Sequence, residues 1–227
     1  MLYGANGYTG RLIAEEAVRR GMTPTLAGRN ARAIELLADS LRCPRRVFSL
    51  EDPELIAAQL AGLGAVLHCA GPFSATAEPM MAACLKARVH YLDITGEIAV
   101  IEAAAGRSQA AQAAGVTLLP AVGFDVVPSD CLAAMLARRL PGATLLQLAF
   151  SGLQAVSPGT ARTMLEGLAE GGRARVDGRI VQVPVAWKTL DIPFREGFQP
   201  AVTIPWGDVA SAWHSTGIPN IEVYMGA

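Results

Sequence analysis

Charge is scarce in this chain, and lysine is almost missing. Charged residues make up 17% of its 227 residues, and Lys86 and Lys188 are the only lysines. Neither follows a tyrosine at the Tyr-x-x-x-Lys spacing by which short-chain dehydrogenases lower the pKa of a catalytic tyrosine. That absence argues against the mechanism, and the lack of a Gly-x-Ser-x-Gly elbow or a phosphate-binding lysine motif argues against hydrolase and NTPase chemistry. The four cysteines, Cys43, Cys69, Cys84 and Cys131, have neither zinc spacing nor a disulfide pattern, so no metal is expected. Cys69, ending an apolar strand, and Cys131, at a helix start, read as reduced core thiols of a cytoplasmic protein. No apolar run of about 18 residues offers a membrane span. A formal net charge of −1 gives no reason to expect nucleic acid or an acidic membrane as a partner. The arginine pairs at 19–20, 45–46 and 138–139 read as solvated helix faces.

What is abundant is apolar surface and glycine. Hydrophobic residues reach 52%, enough for a substantial core and against disorder. Glycines cluster at the start, in Gly4-Ala5-Asn6-Gly7-Tyr8-Thr9-Gly10, between a short apolar segment and a helix predicted over 11–20. One glycine can make the tight turn, a second can admit a pyrophosphate to the backbone, and a third can pack helix against strand. The phosphates would lie against free N–H groups at the positive end of that helix, with Gly4, Asn6, Gly7, Tyr8, Thr9 and Gly10 as the expected cofactor contacts. A second strand at 24–27 runs into Gly28-Arg29-Asn30. Arg29 stands 19 residues past Gly10, where an NAD-binding unit carries an acid for the ribose 2′-hydroxyl. A guanidinium there grips a 2′-phosphate in two parallel hydrogen bonds, so the expected cofactor is NADP rather than NAD. The alternative is a surface arginine after an ordinary βα turn.

Short apolar runs alternate with helical stretches up to about residue 140, which predicts six parallel strands in a doubly wound, Rossmann-like α/β fold. The expected strands after 24–27 are 46–50, 65–69, 90–94 and 116–120, and one helix is expected over 98–114. Beyond 141 the pattern turns antiparallel-rich, with strands at 144–150, 180–187 and 199–205, a turn at Asp177-Gly178, and a helix at 160–169. The domain expectation is thus 1–140 for the nucleotide-binding domain and 141–227 for part of a smaller α+β domain. The short opening strand, and a closing strand at 221–225 with nothing after it to cover its edge, lead to the expectation of a piece of a longer protein. No secretory leader is expected, because turn chemistry begins at residue 4. An exposed strand edge in the second region makes a homodimer the expected assembly.

Ligands of open α/β sheets bind beyond the carboxyl ends of the strands. The loop Cys69-Ala70-Gly71-Pro72-Phe73 would take the nicotinamide side, with Gly71 allowing close approach and Phe73 either stacking near the ring or plugging the core. Asp93 and Glu97 bracket the next loop, with Gly96 between them as a further cofactor contact. Two carboxylates in such a place can divide into acid and base, or Glu97 simply caps the following helix. Asp125, in Gly123-Phe124-Asp125-Val126-Val127-Pro128-Ser129-Asp130, is a candidate proton donor, and Ser129 is read as an N-cap. His214 is the candidate able to move protons near neutral pH, with a structural role as its alternative.

Taken in order, the glycine turn, Leu26-Ala27-Gly28-Arg29, Cys69-Ala70-Gly71-Pro72-Phe73, Tyr91-Leu92-Asp93-Ile94-Thr95-Gly96-Glu97 and Gly123 to Asp130 resemble the saccharopine dehydrogenase-like oxidoreductases. The likeness is nearest to the branch containing the trans-acting enoyl reductases of lipid biosynthesis. Ser157-Pro158-Gly159-Thr160, Pro205-Trp206-Gly207-Asp208 and Ser215-Thr216-Gly217-Ile218-Pro219-Asn220 resemble that branch's second region. The resemblance implies NAD(P)-dependent hydride transfer to a C=C, C=O or C=N bond of a small or lipid-like substrate. It does not imply lysine biosynthesis. A non-catalytic dinucleotide sensor or partner subunit is the other reading.

Overall fold

The computed structural model describes residues 1–151, 171–195 and 197–226. The expected helix at 160–169 and the Ser157 to Thr160 motif lie outside them. Two compact units emerge, Met1–Thr95 with Glu102–Val122, and Gly96–Ile101 with Gly123–Ala227.

In the first unit every strand is parallel and the sheet order is β3-β2-β1-β4-β5-β6. Its strands are β1 (Leu2–Tyr3), β2 (Leu26–Gly28), β3 (Arg45–Val47), β4 (Ala65–His68), β5 (His90–Asp93) and β6 (Leu118–Leu119). The crossovers are α1 (Tyr8–Arg19), α2 (Ala31–Leu41), α3 (Pro53–Leu60), α4 (Phe73–Ala87), α5 (Ile98–Ala105), whose first residues are counted with the second unit, and α6 (Ser108–Ala114). The order reverses between β1 and β4, so the loops after β1 and β4 open side by side at the switch point where such sheets bind dinucleotides. Each crossover buries an apolar face. Ile34, Leu37 and Ala38 of α2 meet Leu2, Ala5, Ala14 and Leu26 in one cluster. The single helix expected over 98–114 is two, parted at Gly106-Arg107, where the helical repeat is broken.

The second unit is built on a six-stranded sheet of order β10-β11-β12-β8-β9, with β7 added to β12. These are β7 (Leu145–Phe150), β8 (Gly172–Val176), β9 (Arg179–Val183), β10 (Thr189–Phe194), β11 (Gly197–Thr203) and β12 (Asn220–Gly226). Asp177 and Gly178 both take positive φ, +48° and +77°, the geometry a two-residue β8–β9 hairpin needs. Helices α7 (Val127–Arg139) and α8 (Asp208–Thr216) cover one face, and Ala133, Val209 and Ala212 close over Leu146, Leu148, Ile221 and Val223.

Two expectations change here. The chain passes into the second unit at Gly123, not after 140, because α7 packs on α8 and β7. The closing strand is not an uncovered edge either, since β12 pairs with β7 on one side and with β11 and β8 on the other. Strands β8 and β10 and helix α8 are not expected from the sequence; Ser129 lies inside the first turn of α7 and donates to the Val126 carbonyl at 3.0 Å instead of capping the helix, and Cys131 is on the exposed face of α7, not in the core.

Candidate functional site

The glycine turn is held by contacts that no side chain would permit. Gly4 has φ +80°, donates to the Ala27 carbonyl at 2.8 Å, and would place a Cβ 2.7 Å from the Ala70 nitrogen. Gly10 packs α1 on the turn, where a Cβ would collide with the Gly4 carbonyl oxygen and reach within 3.0 Å of the Ala5 Cα. Gly7 is exposed, sits at the N-cap of α1, and supplies no side-chain cap. The N–H groups of Tyr8, Thr9 and Gly10 thus head the helix unanswered by a cap, the arrangement that draws an anion. Asn6 reaches the second loop, its Oδ1 3.0 Å from where a Gly28 Cβ would stand. The turn, free of side chains where a phosphate would approach, fits the pyrophosphate of a dinucleotide.

Arg29 follows β2, is exposed, and forms no ion pair among the described residues. Burial pushes the Tyr3 hydroxyl up to about 12, and the Arg29 charge works against that rise. Asn30 caps α2 by accepting from the Ala33 N–H at 3.1 Å, which engages its side-chain oxygen within the protein.

After β4, Ala70 abuts Gly4, bringing the two expected cofactor loops together. Cys69 is mostly buried and its thiol is pushed up to about 12, by burial first and by Asp93 second, so it is no thiolate at neutral pH. Phe73 opens α4, is half-buried, and meets the His68 ring edge-on at 5.4 Å.

Asp93 is a structural tie. Tyr91 donates to it at 2.6 Å, the Thr95 N–H at 2.9 Å and the Ala121 N–H at 2.8 Å. These bonds fasten the loop after β5 to the loop after β6. Burial raises the pKa of Asp93 and the three donors oppose it. The acid–base division read for Asp93 and Glu97 does not appear, for Asp93 has its oxygens occupied. The Glu97 carbonyl accepts from Val100 and Ile101 at 3.1 and 3.2 Å, which makes it the residue from which α5 starts.

The candidate acids gather in the second unit. Gly96 faces Asp125, whose Oδ2 would lie 3.3 Å from a Cβ on that glycine. Asp125 is half-buried, and burial raises its pKa. Its carbonyl accepts the Trp206 indole N–H at 2.6 Å. Gly207 then packs so closely that a Cβ would stand 2.8 Å from Val126 Cγ2 and 3.1 Å from the Gly96 carbonyl. Asp208 follows, fully buried, with neither carboxyl oxygen hydrogen-bonded among the described residues. Burial pushes it up to about 7, the nearby Ser129 hydroxyl eases the shift, and the charges of Asp130 and Asp125 add to it. His214 is exposed in the last turn of α8, about 9 Å along the helix from Asp208. The motif Trp206-Gly207-Asp208 is visible in the sequence, but the burial of its acid is not. The missed signal was an aspartate behind a glycine at a helix start, flanked by apolar residues.

Comparison with known proteins agrees with these features. The saccharopine dehydrogenase NADP binding domain model matches residues 1–119. The trans-acting enoyl reductase of Mycobacterium tuberculosis is 33% identical over 148 residues, covering 61% of this chain and 35% of the relative. A probable mitochondrial saccharopine dehydrogenase-like oxidoreductase of Arabidopsis thaliana is 30% identical over 147 residues, covering 57% and 32%. The chain therefore spans about a third of the length of these curated relatives. Apo saccharopine dehydrogenase (L-Glu forming) from Saccharomyces cerevisiae shares the fold at TM-score 0.66 and 12% identity, covering 99% of this chain and 54% of that one. With more than half its residues matched by the domain model, this chain belongs to the saccharopine dehydrogenase family through its NADP-binding domain.

Proposed function

We propose that this protein is an NADP-dependent oxidoreductase acting on a C=C, C=O or C=N bond of a small or lipid-like substrate. The observation that carries the reading is the glycine turn heading an uncapped α1, with an unpaired arginine one strand away. Gly4, Gly7 and Gly10 would admit the pyrophosphate, and Tyr8, Thr9 and Gly10 would donate to it. Arg29 would clamp the 2′-phosphate. The Ala70 to Pro72 loop would contact the nicotinamide side. The bound coenzyme supplies the hydride.

The accompanying proton is assigned to Asp125. A carboxyl raised by burial holds its proton at higher pH than a free aspartate, and Gly96 leaves its Oδ2 uncrowded. Glu97 and His214 are kept as the other candidates for holding or orienting that proton. Location in the cytoplasm and assembly as a homodimer belong to the same proposal.

The test is calorimetric titration of the wild type and Arg29→Asp with NADPH and NADH. Arg29→Asp is expected to weaken NADPH about 30-fold, the worth of a charge-assisted bidentate contact, and NADH less than about three-fold. Equal loss of both would remove Arg29 from the site. Binding without turnover is the second reading, supported by Asp93 being occupied structurally rather than paired with Glu97 as acid and base. Tight NADPH binding with no oxidation across enoyl, carbonyl and imine substrates, in the full-length protein, would favour it.

A further inference from the structure

His68 ends β4, is fully buried, and lies in contact with the rings of Tyr3, Phe73 and Tyr91 at 5.5, 5.4 and 6.2 Å. No role in binding or chemistry accounts for it so far. Its Nε2 lies 3.0 Å from the Thr76 hydroxyl in the first turn of α4. That hydroxyl reaches the Ala70 carbonyl at 2.7 Å and the Pro72 carbonyl at 3.0 Å.

Proton counting orders the chain of bonds. Carbonyl oxygens only accept, so the single Thr76 proton goes to them, mainly to the nearer Ala70. The hydroxyl must then accept from His68, which fixes the imidazole as its Nε2–H tautomer. Burial drives the ring down to about 3, so it carries one proton at neutral pH. Nδ1 is left without a partner, as observed among the described residues.

The peptide unit turns this relay into a pointing device. A trans peptide is planar, with its C=O and N–H directed oppositely. Drawing the Ala70 carbonyl toward Thr76 therefore aims the Gly71 N–H away from it, and no protein acceptor among the described residues meets that N–H. Gly71 is exposed, with ordinary contact to the Phe73 ring at 3.6 Å as the nearest obstacle to a Cβ.

We infer that His68 and Thr76 are positioning residues that hold the Gly71 N–H outward as a hydrogen-bond donor to a phosphate or ribose oxygen of the dinucleotide. The inference rests on the dinucleotide reading above and adds to it a specific donor and the side chains that aim it.

Thr76→Val keeps the shape and removes the hydroxyl, whereas Thr76→Ser keeps the hydroxyl. NADPH titration of the three proteins is the test, combined with ¹⁵N spectra of the His68 ring. The wild type is expected to show the Nε2–H tautomer at pH 7. Thr76→Val is expected to bind NADPH about ten-fold more weakly, and Thr76→Ser within about two-fold of wild type. An Nδ1–H tautomer, equal binding by Thr76→Val, or equal weakness of the two variants would overturn the relay. A wild type that binds no NADPH would overturn the dinucleotide reading itself, and its ring tautomer would still report separately on the relay.

Discussion

The two lysines show how differently the two units use charge. Lys86 pairs with Glu54 at 2.5 Å on the surface of the first unit, both side chains more than half exposed. Lys188 pairs with Glu222, a carboxylate 5% exposed on β12 that also accepts from Tyr224 at 2.6 Å and Gln147 at 3.0 Å. The first unit keeps its ion pairs at the surface and buries one carboxyl, Asp93, which three donors answer. The second buries Arg175, Asp208 and Glu222, and satisfies them unequally. Arg175 donates to the Val209 and Gly178 carbonyls at 2.9 and 2.8 Å and lies over the Trp213 ring, whereas among the described residues Asp208 has the nearby Ser129 hydroxyl to ease its burial and no cation beside it. A buried carboxyl so poorly answered costs stability whenever it is ionised.

The sharpest break of this comparison is Asp208→Asn. In the folded protein Asp208 binds its proton up to about pH 7, against 3.8 unfolded. Between those values the folded state holds more protons, so its contribution to stability falls as pH rises and is fully lost above 7. A carboxyl displaced from 3.8 to about 7 corresponds to about 4 kcal/mol, an upper figure for the gain at pH 8 when Asn removes the ionisation. Urea unfolding should show the variant stabilised at pH 8 and little changed near pH 4. A wild type whose stability is flat from pH 4 to 8 would contradict it.

Close packing around glycine gives the next largest effect. Gly10→Ala drives a Cβ into rigid backbone and should cost about 3 kcal/mol, while Gly207→Ala meets a valine methyl that can shift and, less closely, the Gly96 carbonyl, and should cost about 2 kcal/mol. Reversal of that order by urea titration would refute the contrast between the two turns. The last contrast separates the lysines. Lys188→Ala should cost about 2 kcal/mol at pH 7, because it strands a buried carboxylate. Burial alone would raise Glu222, but Lys188, Tyr224 and Gln147 hold it below its usual range, so this loss should fade as pH drops through the carboxylate range. Lys86→Ala should change stability by less than about 0.5 kcal/mol, as exposed pairs do.

The first unit was legible because its information is local. Gly4, Gly7 and Gly10 announce a turn whatever lies far away, and the repeat of strand and helix brings β1 beside β4. The second unit depends on partners distant in sequence. Nothing near residue 221 says that β12 will lie between β7 and β11, and nothing near Thr189 says that β10 will pair with 197–202. The same holds for the acids. Asp93 looked like a chemical group because Ala121, one of its donors, is 28 residues away. Asp208 was passed over because only the fold shows its burial.

The central claim is that the head of α1 seats a dinucleotide's phosphates. Titrating ¹⁵N-labelled protein with NADPH tests it most directly. The account predicts that the amides of Gly7, Tyr8, Thr9 and Gly10 and the Arg29 side chain move first and furthest, in one saturable step. If those signals stay fixed at saturating NADPH, the assignment of the turn is wrong.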